Sequence, residues 1–152
     1  MDDRLFKAAM GKFTTGVTVL TTELEGEIHG MTANAFMSVS LEPKLILISV
    51  AKTASMHEYM QQTDQFAISV LGNNQEAVSR YFARQSEDDA GVNFERFEDR
   101  PVIEGAITQL ACTKYNEADA GDHTLFIGSV ENVTVQDEAP LVYFEGKYRY
   151  ME

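Results

Sequence analysis

The sequence predicts a mainly β domain with a few short helices, whose antiparallel strands form a small Greek-key barrel. Short segments rich in β-branched and apolar residues follow one another at regular spacing, with turn-forming residues between them. Only three segments have helical periodicity. The 152 residues contain no internal repeat, linker or low-complexity tract, so residues 1–152 are expected to form one domain with its own core.

The first elements predicted are a helix and a β-hairpin. Asp2 or Asp3 caps the helix, which carries apolar side chains on one face: Leu5, Phe6, Ala9, Met10 and Phe13. This stripe is expected to lie across the barrel or against a partner subunit. Strands over residues 17–22 and 27–35, joined by a tight turn, form the hairpin. His29 on the second strand is expected to be an ordinary strand histidine and not a catalytic one.

The next segment combines a strand with a capped helix. Residues 45–48 are continuously apolar, which predicts a strand buried on both faces. Ser55 and Glu58 have the spacing of a capping box, so a helix is predicted from Ser55 as N-cap through Gln61. A helix N-terminus presents unpaired N–H groups and the positive end of the helix dipole, which suit a phosphate. The alternative is a plain capped helix without a ligand.

A second buried strand and a second capped helix follow. The strand covers residues 65–71, and Asn73 and Glu76 have capping spacing for the helix. The apolar face predicted for this helix consists of Ala77, Val78, Tyr81 and Phe82. Arg80 and Arg84 are four residues apart, so they are predicted to lie on one side of the helix.

The C-terminal half is predicted to be almost entirely β. Residues 85–105 show no periodicity and predict a long loop, and residues 116–121 predict an acidic turn. The strands predicted here cover residues 107–115, 123–135, 141–144 and 148–150. Cys112 alternates with polar neighbours and is expected to be a buried small residue, not a nucleophile.

Composition excludes several classes of function. Asp and Glu outnumber Lys and Arg 24 to 12, which gives a net charge of −12 and argues against a nucleic-acid or anionic-membrane surface. No stretch reaches the length of a membrane span. The first residues lack the basic and apolar regions of a signal peptide, and a single cysteine permits no internal disulfide. A cytoplasmic location is therefore expected.

Residues 30–40 are unusually polar and small for a segment that continues a strand. Four short hydrogen-bonding side chains occur within nine residues: Thr32, Asn34, Ser38 and Ser40. Gly30 allows a close approach of the backbone to a bound group. Such a segment suits a flat polar ligand with a phosphate tail. The alternative is a Ser/Thr-rich loop between two strands, ended by Pro43.

Familiar catalytic motifs are missing from the sequence. It contains no G-x-G-x-x-G or G-x-x-x-x-G-K-[ST] for a dinucleotide, no H-E-x-x-H or paired-cysteine spacing for a metal, and no G-x-S-x-G elbow. No strong acid–base pair is evident. This pattern fits an enzyme in which a cofactor carries out the redox chemistry.

Four stretches, in one order, resemble the short flavin reductase family, whose domain is the FMN-binding split barrel. They are GMTANAF at 30–36 with SVS at 38–40, FAISVL at 66–71 with SRYFA at 79–83, GDHTLFIG at 121–128, and PLVYF at 140–144 with GKYR at 146–149. The family includes the reductase components of two-component flavin monooxygenases. Two departures are Lys44, where a second proline is common, and Ser69, where an asparagine is common.

The resemblance implies an NAD(P)H:flavin oxidoreductase that transfers a hydride from NADH or NADPH to FMN or FAD. It also implies a homodimer with flavin sites near the interface, and a flavin-dependent monooxygenase as a partner. Two alternatives stay open: an FMN-binding electron carrier that serves a protein partner, and a split barrel that binds another cofactor such as haem.

The resemblance further implies roles for individual residues. Those lining the flavin ring and ribityl chain are Thr32, Ala33, Asn34, Ser38, Val39 and Ser40. Ser49, Val50 and Ala51 edge the ring, Lys52, Thr53 and Ser55 take the phosphate, and Arg80 and Phe82 lie close to the flavin. His123, the expected catalytic residue, and Tyr148 lie on the nicotinamide side. Alternatively, His123 pins the preceding turn through Asp122, and Tyr148 is an ordinary aromatic on a C-terminal strand.

Overall fold

The structure is a computed structural model that describes residues 1–151, in which three helices and twelve strands are present. In chain order they are α1 (Asp3–Gly11), β1 (Thr15–Gly16), β2 (Thr18–Leu24), β3 (Glu27–Ala33), β4 (Phe36–Ser40), β5 (Leu45–Ala51), α2 (Ser55–Gln62), β6 (Gln65–Val70), α3 (Glu76–Phe82), β7 (Phe94–Phe97), β8 (Arg100–Ile103), β9 (Thr108–Ala120), β10 (His123–Val135), β11 (Leu141–Phe144) and β12 (Lys147–Tyr150). The mainly β class with a few short helices is confirmed. None of the helices in residues 1–151 has the length and apolar character needed to cross a membrane.

Seven antiparallel strands form the main sheet, in the order β3-β2-β6-β9-β10-β5-β4. Its two edge strands, β3 and β4, are separated by only Asn34 and Ala35. A flat sheet would place these edges about 29 Å apart, because neighbouring strands are about 4.8 Å apart. Two linking residues span at most about 11 Å. The sheet must therefore curl until its edges meet at this corner, although β3 and β4 are not paired with each other among the described residues.

A three-stranded sheet, β1-β11-β12, packs against one end of the main sheet. β1 leads into β2 through Val17, whose carbonyl accepts a hydrogen bond from the Leu71 N–H (2.9 Å). The Leu71 carbonyl in turn accepts from the Leu141 N–H (3.1 Å). A second apolar core forms between these segments, and its buried members are Val17, Val19, Leu71, Val78, Ile103 and Leu141. These contacts fix the position of α3 against the sheets.

The larger core lies inside the curled sheet and is closed by α2. Met56 and Met60 on α2 are buried against Phe66 and Phe126 of the sheet. β5 alternates, with Ile46, Ile48 and Val50 buried and the residues between them only partly buried. The prediction that residues 45–48 are buried on both faces is therefore wrong, because only one face of this strand meets the core.

Helix ends account for several corrections. Asp2 caps α1 as predicted, its carboxylate accepting from the Leu5 N–H at 2.7 Å. Ser55 is the first residue of α2 and not its N-cap, which is Ala54. Asn73 does not cap α3 either. The N-cap of α3 is Gln75, whose side-chain oxygen instead accepts from the Gly72 N–H at 2.9 Å.

The polarity of α3 also differs from the prediction. Ser79 is buried, whereas Ala77, placed on the predicted apolar face, is exposed. The helix ends at Phe82, and Arg84 lies beyond it with a positive φ of 60°. Arg80 and Arg84 therefore do not share a helical face, and Arg84 is turned toward α2.

Three segments predicted to be irregular contain strands. Residues 94–103 form the β7–β8 hairpin inside the predicted loop, and residues 116–120 continue β9 alongside β10. The turn between β9 and β10 is reduced to Gly121 and Asp122. Residues 36–40, treated as part of a loop, form the edge strand β4. The end of β9 is exposed on both faces and β8 is buried along its whole length, so neither shows the alternation that identifies a half-buried strand. The hydrogen-bonded ladder with the neighbouring strand still orders the backbone.

Cys112 is fully buried in the main core, as predicted for a small apolar residue. Burial raises the pKa of its thiol to about 12, so the reactive thiolate is strongly disfavoured. Ser69 is buried too, and its hydroxyl accepts a hydrogen bond from the Ile103 N–H at 3.0 Å. This departure from the family pattern therefore joins β6 to β8 in the core.

Candidate functional site

A cleft of about 980 Å³ opens between β3, α2 and the end of α3. Its walls are formed by residues 28–32 of β3, residues 53–56 with Tyr59, and residues 81–87. The first two walls belong to segments that the curled sheet and the buried methionines of α2 hold together. This volume is at the upper end of the range for small-molecule sites, and it suits a ligand larger than a single ring system.

One wall of the cleft is an aromatic surface that depends on Gly30. A Cβ atom at this position would come within 2.7 Å of Phe82 Cε1, so only glycine lets the Phe82 ring lie against β3. Phe82 also contacts Tyr81 and Phe94 edge-on, with ring centroids 4.9 and 6.0 Å away. The ring is therefore held from several sides and presents an apolar surface to a flat ligand.

Polar groups suited to an anion lie where α2 begins. Arg84 Nη2 donates to Ser55 Oγ at 3.2 Å, and both side chains line the cleft together with Thr53. The side chain of the N-cap residue Ala54 is only a methyl group, so no capping side chain accepts from the N–H groups of the first turn. A guanidinium, two hydroxyls and the positive end of a helix therefore converge, and this donor set fits a phosphate.

A hydrogen-bonded chain supports the cleft from behind. Thr32 Oγ1 donates to the Ser79 carbonyl at 2.7 Å, and Ser79 Oγ lies 2.6 Å from Tyr148 Oη. The Arg80 guanidinium lies 4.8 Å above the Tyr148 ring and pairs with Glu76 at 2.9 Å. Tyr148 therefore packs against α3, Arg80 is paired within that helix, and neither residue lines the cleft.

Lys52 and His123 meet at a different corner, where β5 ends beside the start of β10. His123 is paired with Ala51, and the Lys52 N–H donates to the Asp122 carbonyl at 2.9 Å. His123 Nδ1 lies 2.8 Å from Asp122 Oδ1, a hydrogen bond that lowers the pKa of the Asp122 carboxyl. Lys52 Nζ is 3.3 Å from Asp119 Oδ1. The contact expected of a turn-pinning His123 is thus present.

The structure separates the predicted flavin residues into groups. Those that line the cleft are Thr32, Thr53, Ser55 and Phe82. Asn34 lines a second cavity of about 360 Å³ beside β1. Ala33 and Val50 are buried in the main core, Ser38 and Val39 are exposed on β4, and Ser40, Ser49 and Ala51 are partly buried. The Ser49 N–H donates to the Ala35 carbonyl at 3.0 Å, which joins the 33–35 and 49–51 segments.

Three cleft residues were not assigned from the sequence. Arg84 was predicted only to share a helical side with Arg80, because the end of α3 at Phe82 was not predicted. His29 and Tyr59 stack on each other in the cleft, although they lie on β3 and α2, thirty residues apart. Local periodicity carries no signal for such a long-range pair.

The fold is a curled β domain with a cleft whose donor groups are of the kind that suit a phosphate. The model of the family described as "Flavin reductase like domain" matches residues 10–152. An NADH-dependent flavin reductase from Rhodococcus sp is 43% identical over 149 residues, which cover 96% of this chain and 85% of that protein. The reductase component of 4-hydroxyphenylacetate 3-monooxygenase from Thermus thermophilus is 40% identical over 145 residues, which cover 95% of this chain and 93% of that protein.

Among solved structures, flavin reductase PheA2 in its native state matches with a TM-score of 0.98 and 52% identity over 100% of this chain and 99% of that one. The chain belongs to the flavin reductase-like family. The resemblance in the four sequence motifs is thereby confirmed, and so is the relation to reductase components of two-component monooxygenases.

Proposed function

We propose that the protein is an NADH-dependent flavin reductase that binds flavin in the cleft between β3, α2 and α3. The observation that carries this proposal is the Arg84–Ser55 hydrogen bond at the start of α2, which gathers donors suited to a phosphate at one end of the cleft. Family membership and relatives named NADH-dependent flavin reductases support the reaction. The flavin, when bound, supplies an acceptor for the hydride of the reduced nicotinamide.

The residues of this chain hold and orient the flavin. Arg84, Ser55 and Thr53 bind the phosphate, and Phe82 gives the ring system an apolar surface. Thr32 holds β3 against α3 through its hydrogen bond to the Ser79 carbonyl. The 33–35 and 49–51 segments, joined by the Ala35–Ser49 hydrogen bond, edge the ring, with the exposed polar side chains of β4 beside them. Lys52, Arg80 and Tyr148 lie outside the cleft. They contribute to flavin binding through their charge or by supporting the walls of the cleft.

His123 is proposed to position the nicotinamide, because its pairing with Ala51 places it at the end of the 49–51 segment. His123→Ala should leave flavin affinity nearly intact while slowing flavin reduction by NADH. A tenfold loss would correspond to about 1.4 kcal/mol of transition-state stabilisation. Stopped-flow bleaching of FMN, with a flavin titration alongside, measures both quantities. Unchanged reduction kinetics would return His123 to the role of pinning the turn through Asp122.

We also propose a homodimer in which α1 contributes to the interface. The apolar side chains Leu5, Phe6 and Met10 of α1, together with Phe13 two residues beyond its end, are between 51 and 78% exposed, and such a cluster is unusual on the surface of a monomer. Light scattering at micromolar concentration should therefore give twice the chain mass, and Phe6→Glu should shift the protein toward a monomer. A stable wild-type monomer would contradict the proposal.

The reductase function is tested by mixing the purified protein with FMN and NADH in the absence of oxygen. Rapid loss of the flavin absorbance without any other protein is expected, and NADPH in place of NADH gives the nucleotide preference. Bleaching that needs a second protein would instead indicate an electron carrier, and a haem spectrum would exclude a flavin cofactor. A flavin-dependent monooxygenase is the proposed acceptor of the reduced flavin, and the proposed location is the cytoplasm, which suits a chain with one unpaired cysteine.

A further inference from the structure

Two aromatic rings stack on each other within the cleft. His29 of β3 and Tyr59 of α2 have ring centroids 3.7 Å apart and ring planes inclined by only 17°. Both residues line the cleft. The His29 side chain is 20% exposed and Tyr59 is partly buried against the main core, so the pair is anchored in the protein and reaches solvent at the cleft. The roles assigned above to Arg84, Ser55 and Phe82 make no use of this pair.

The position of the pair relates it to the phosphate-binding end of the cleft. Ser55 and Tyr59 are four residues apart on α2, so their side chains lie on the same helical face with about 6 Å of axial rise between them. This separation is comparable to one ribose between a phosphate and its base. A ligand whose phosphate contacts Arg84 and Ser55 can therefore extend along α2 and bring a base to the aromatic pair.

The volume of the cleft is consistent with such an extended ligand. Phe82, at the end of α3, packs over Gly30, whereas His29 stacks on Tyr59 of α2, so the cleft wall carries two separate aromatic surfaces. A flavin mononucleotide has only one ring system and one phosphate. A dinucleotide has a second flat ring beyond its pyrophosphate, and purine bases stack readily on Tyr and His rings.

We propose that the His29–Tyr59 pair is a platform for the adenine base of a dinucleotide, and that it sets the preference between mononucleotide and dinucleotide. This inference rests on the proposed reductase function. FAD and NADH both carry an adenylate half, so the same chemistry has two sources. The closeness of the pair to the Arg84–Ser55 phosphate site favours FAD, in which case the protein binds FAD more tightly than FMN.

The test compares affinities for FAD and FMN in variants of the pair. Tyr59→Leu and His29→Leu each remove a flat ring, and each should weaken FAD binding about tenfold, equivalent to about 1.4 kcal/mol, with FMN binding nearly unchanged. Tyr59→Phe and His29→Phe keep a ring and should retain the affinity for FAD. Tyr115→Leu, which removes an exposed tyrosine on β9 outside the cleft, is the matched control and should change neither affinity. Retained FMN affinity also shows that each variant is folded.

A second arm identifies the source of the adenine. A raised KM for NADH with an unchanged KM for reduced nicotinamide mononucleotide, and with both flavin affinities unchanged, would assign the platform to NADH. Equal losses of FAD and FMN affinity, or no change for FAD and NADH alike, would overturn the proposal. If the wild-type protein fails to oxidise NADH with FMN, the reductase function is wrong. Selective loss of FAD affinity in the leucine variants would still support the platform in that case.

Discussion

Arg84→Glu should weaken FMN binding by about a hundredfold and leave riboflavin binding within about threefold of the wild type. Riboflavin lacks the phosphate, so the difference isolates the interaction at the start of α2. Arg84 lines the cleft within hydrogen-bonding distance of Ser55. A hydrogen bond to a charged group contributes about 1.5–3 kcal/mol, and the reversed charge would add repulsion against the phosphate. Fluorescence titration of both flavins measures the two affinities.

Two other variants make the same change of charge elsewhere. Lys147→Glu alters an exposed residue at the start of β12 and should affect neither flavin. Lys52→Glu tests the residue that the family resemblance placed at the phosphate. Lys52 is exposed, pairs with Asp119 and does not line the cleft. Lys52→Glu should therefore reduce FMN affinity much less than Arg84→Glu does. If Lys52→Glu reduced FMN affinity more than Arg84→Glu, the phosphate site would instead be assigned to the corner of Lys52 and His123.

Arg100→Ala should lower the free energy of unfolding by about 2–3 kcal/mol, because it leaves the buried Cys112 carbonyl without this donor, whereas Glu131 is 44% exposed and can be solvated. The Arg100 side chain is only 4% exposed. Its Nε donates to the Cys112 carbonyl at 3.0 Å, and its Nη2 lies 2.9 Å from the Glu131 carboxylate. Nη1 donates to the Glu98 carbonyl. The guanidinium thus joins the β7–β8 hairpin to β9 and β10, and alanine would leave these acceptors without their donor.

The matched control is Arg96→Ala on the same hairpin. Arg96 also has two acidic partners, Glu23 and Asp99, but its side chain is 48% exposed. Surface ion pairs contribute about 0–1 kcal/mol to stability, so Arg96→Ala should lower the free energy of unfolding by no more than about 1 kcal/mol. Urea unfolding at neutral pH measures both variants. A loss for Arg100→Ala as small as that for Arg96→Ala would show that the buried network adds little to stability.

The same network predicts a dependence on pH. The hydrogen bond from Thr113 and, after it, the charge and hydrogen bond of Arg100 lower the pKa of Glu131 below its ordinary 4.5. A lowered native pKa means that the stabilisation is complete above the unfolded pKa and is lost as pH falls through the native one. The wild type should therefore lose stability in acid below about pH 4.5. The Arg100→Ala variant should lose less stability than the wild type below about pH 4.5, because only the Thr113 hydrogen bond then lowers the pKa of Glu131.

The strands with alternating or β-branched sequence were predicted well, and those without it were not. β2, β6 and β10 agree with their predicted ranges within one or two residues. The end of β9 is exposed and polar on both faces, and β8 is buried along its whole length, so neither shows alternation. Pairing with a neighbouring strand orders both. Pairing across the sheet is a tertiary effect, which a local pattern cannot reveal. The predicted helix caps were wrong for a related reason. Ser55 and Asn73 have capping spacing, but the helices begin after Ala54 and Gln75, one and two residues away.

The candidate site divides in the same way. Thr32, Thr53, Ser55 and Phe82 were assigned from family motifs, and the structure brings them into one cleft. The Arg84–Ser55 contact and the His29–Tyr59 stack join residues about thirty positions apart, so they became visible only in the fold. Tyr148 and Arg80 were also assigned from family motifs, but they do not line the cleft: Arg80 pairs with Glu76 within α3, and the Tyr148 hydroxyl contacts Ser79 of the same helix.

A crystal structure of the protein with FMN tests the central claim most directly, namely that the cleft between β3, α2 and α3 binds the flavin. The account predicts that the phosphate oxygens lie within hydrogen-bonding distance of the Arg84 guanidinium and the Ser55 hydroxyl. It also predicts that the Phe82 ring contacts the bound flavin. A phosphate beside Lys52 and His123, with FMN outside the cleft, would contradict it.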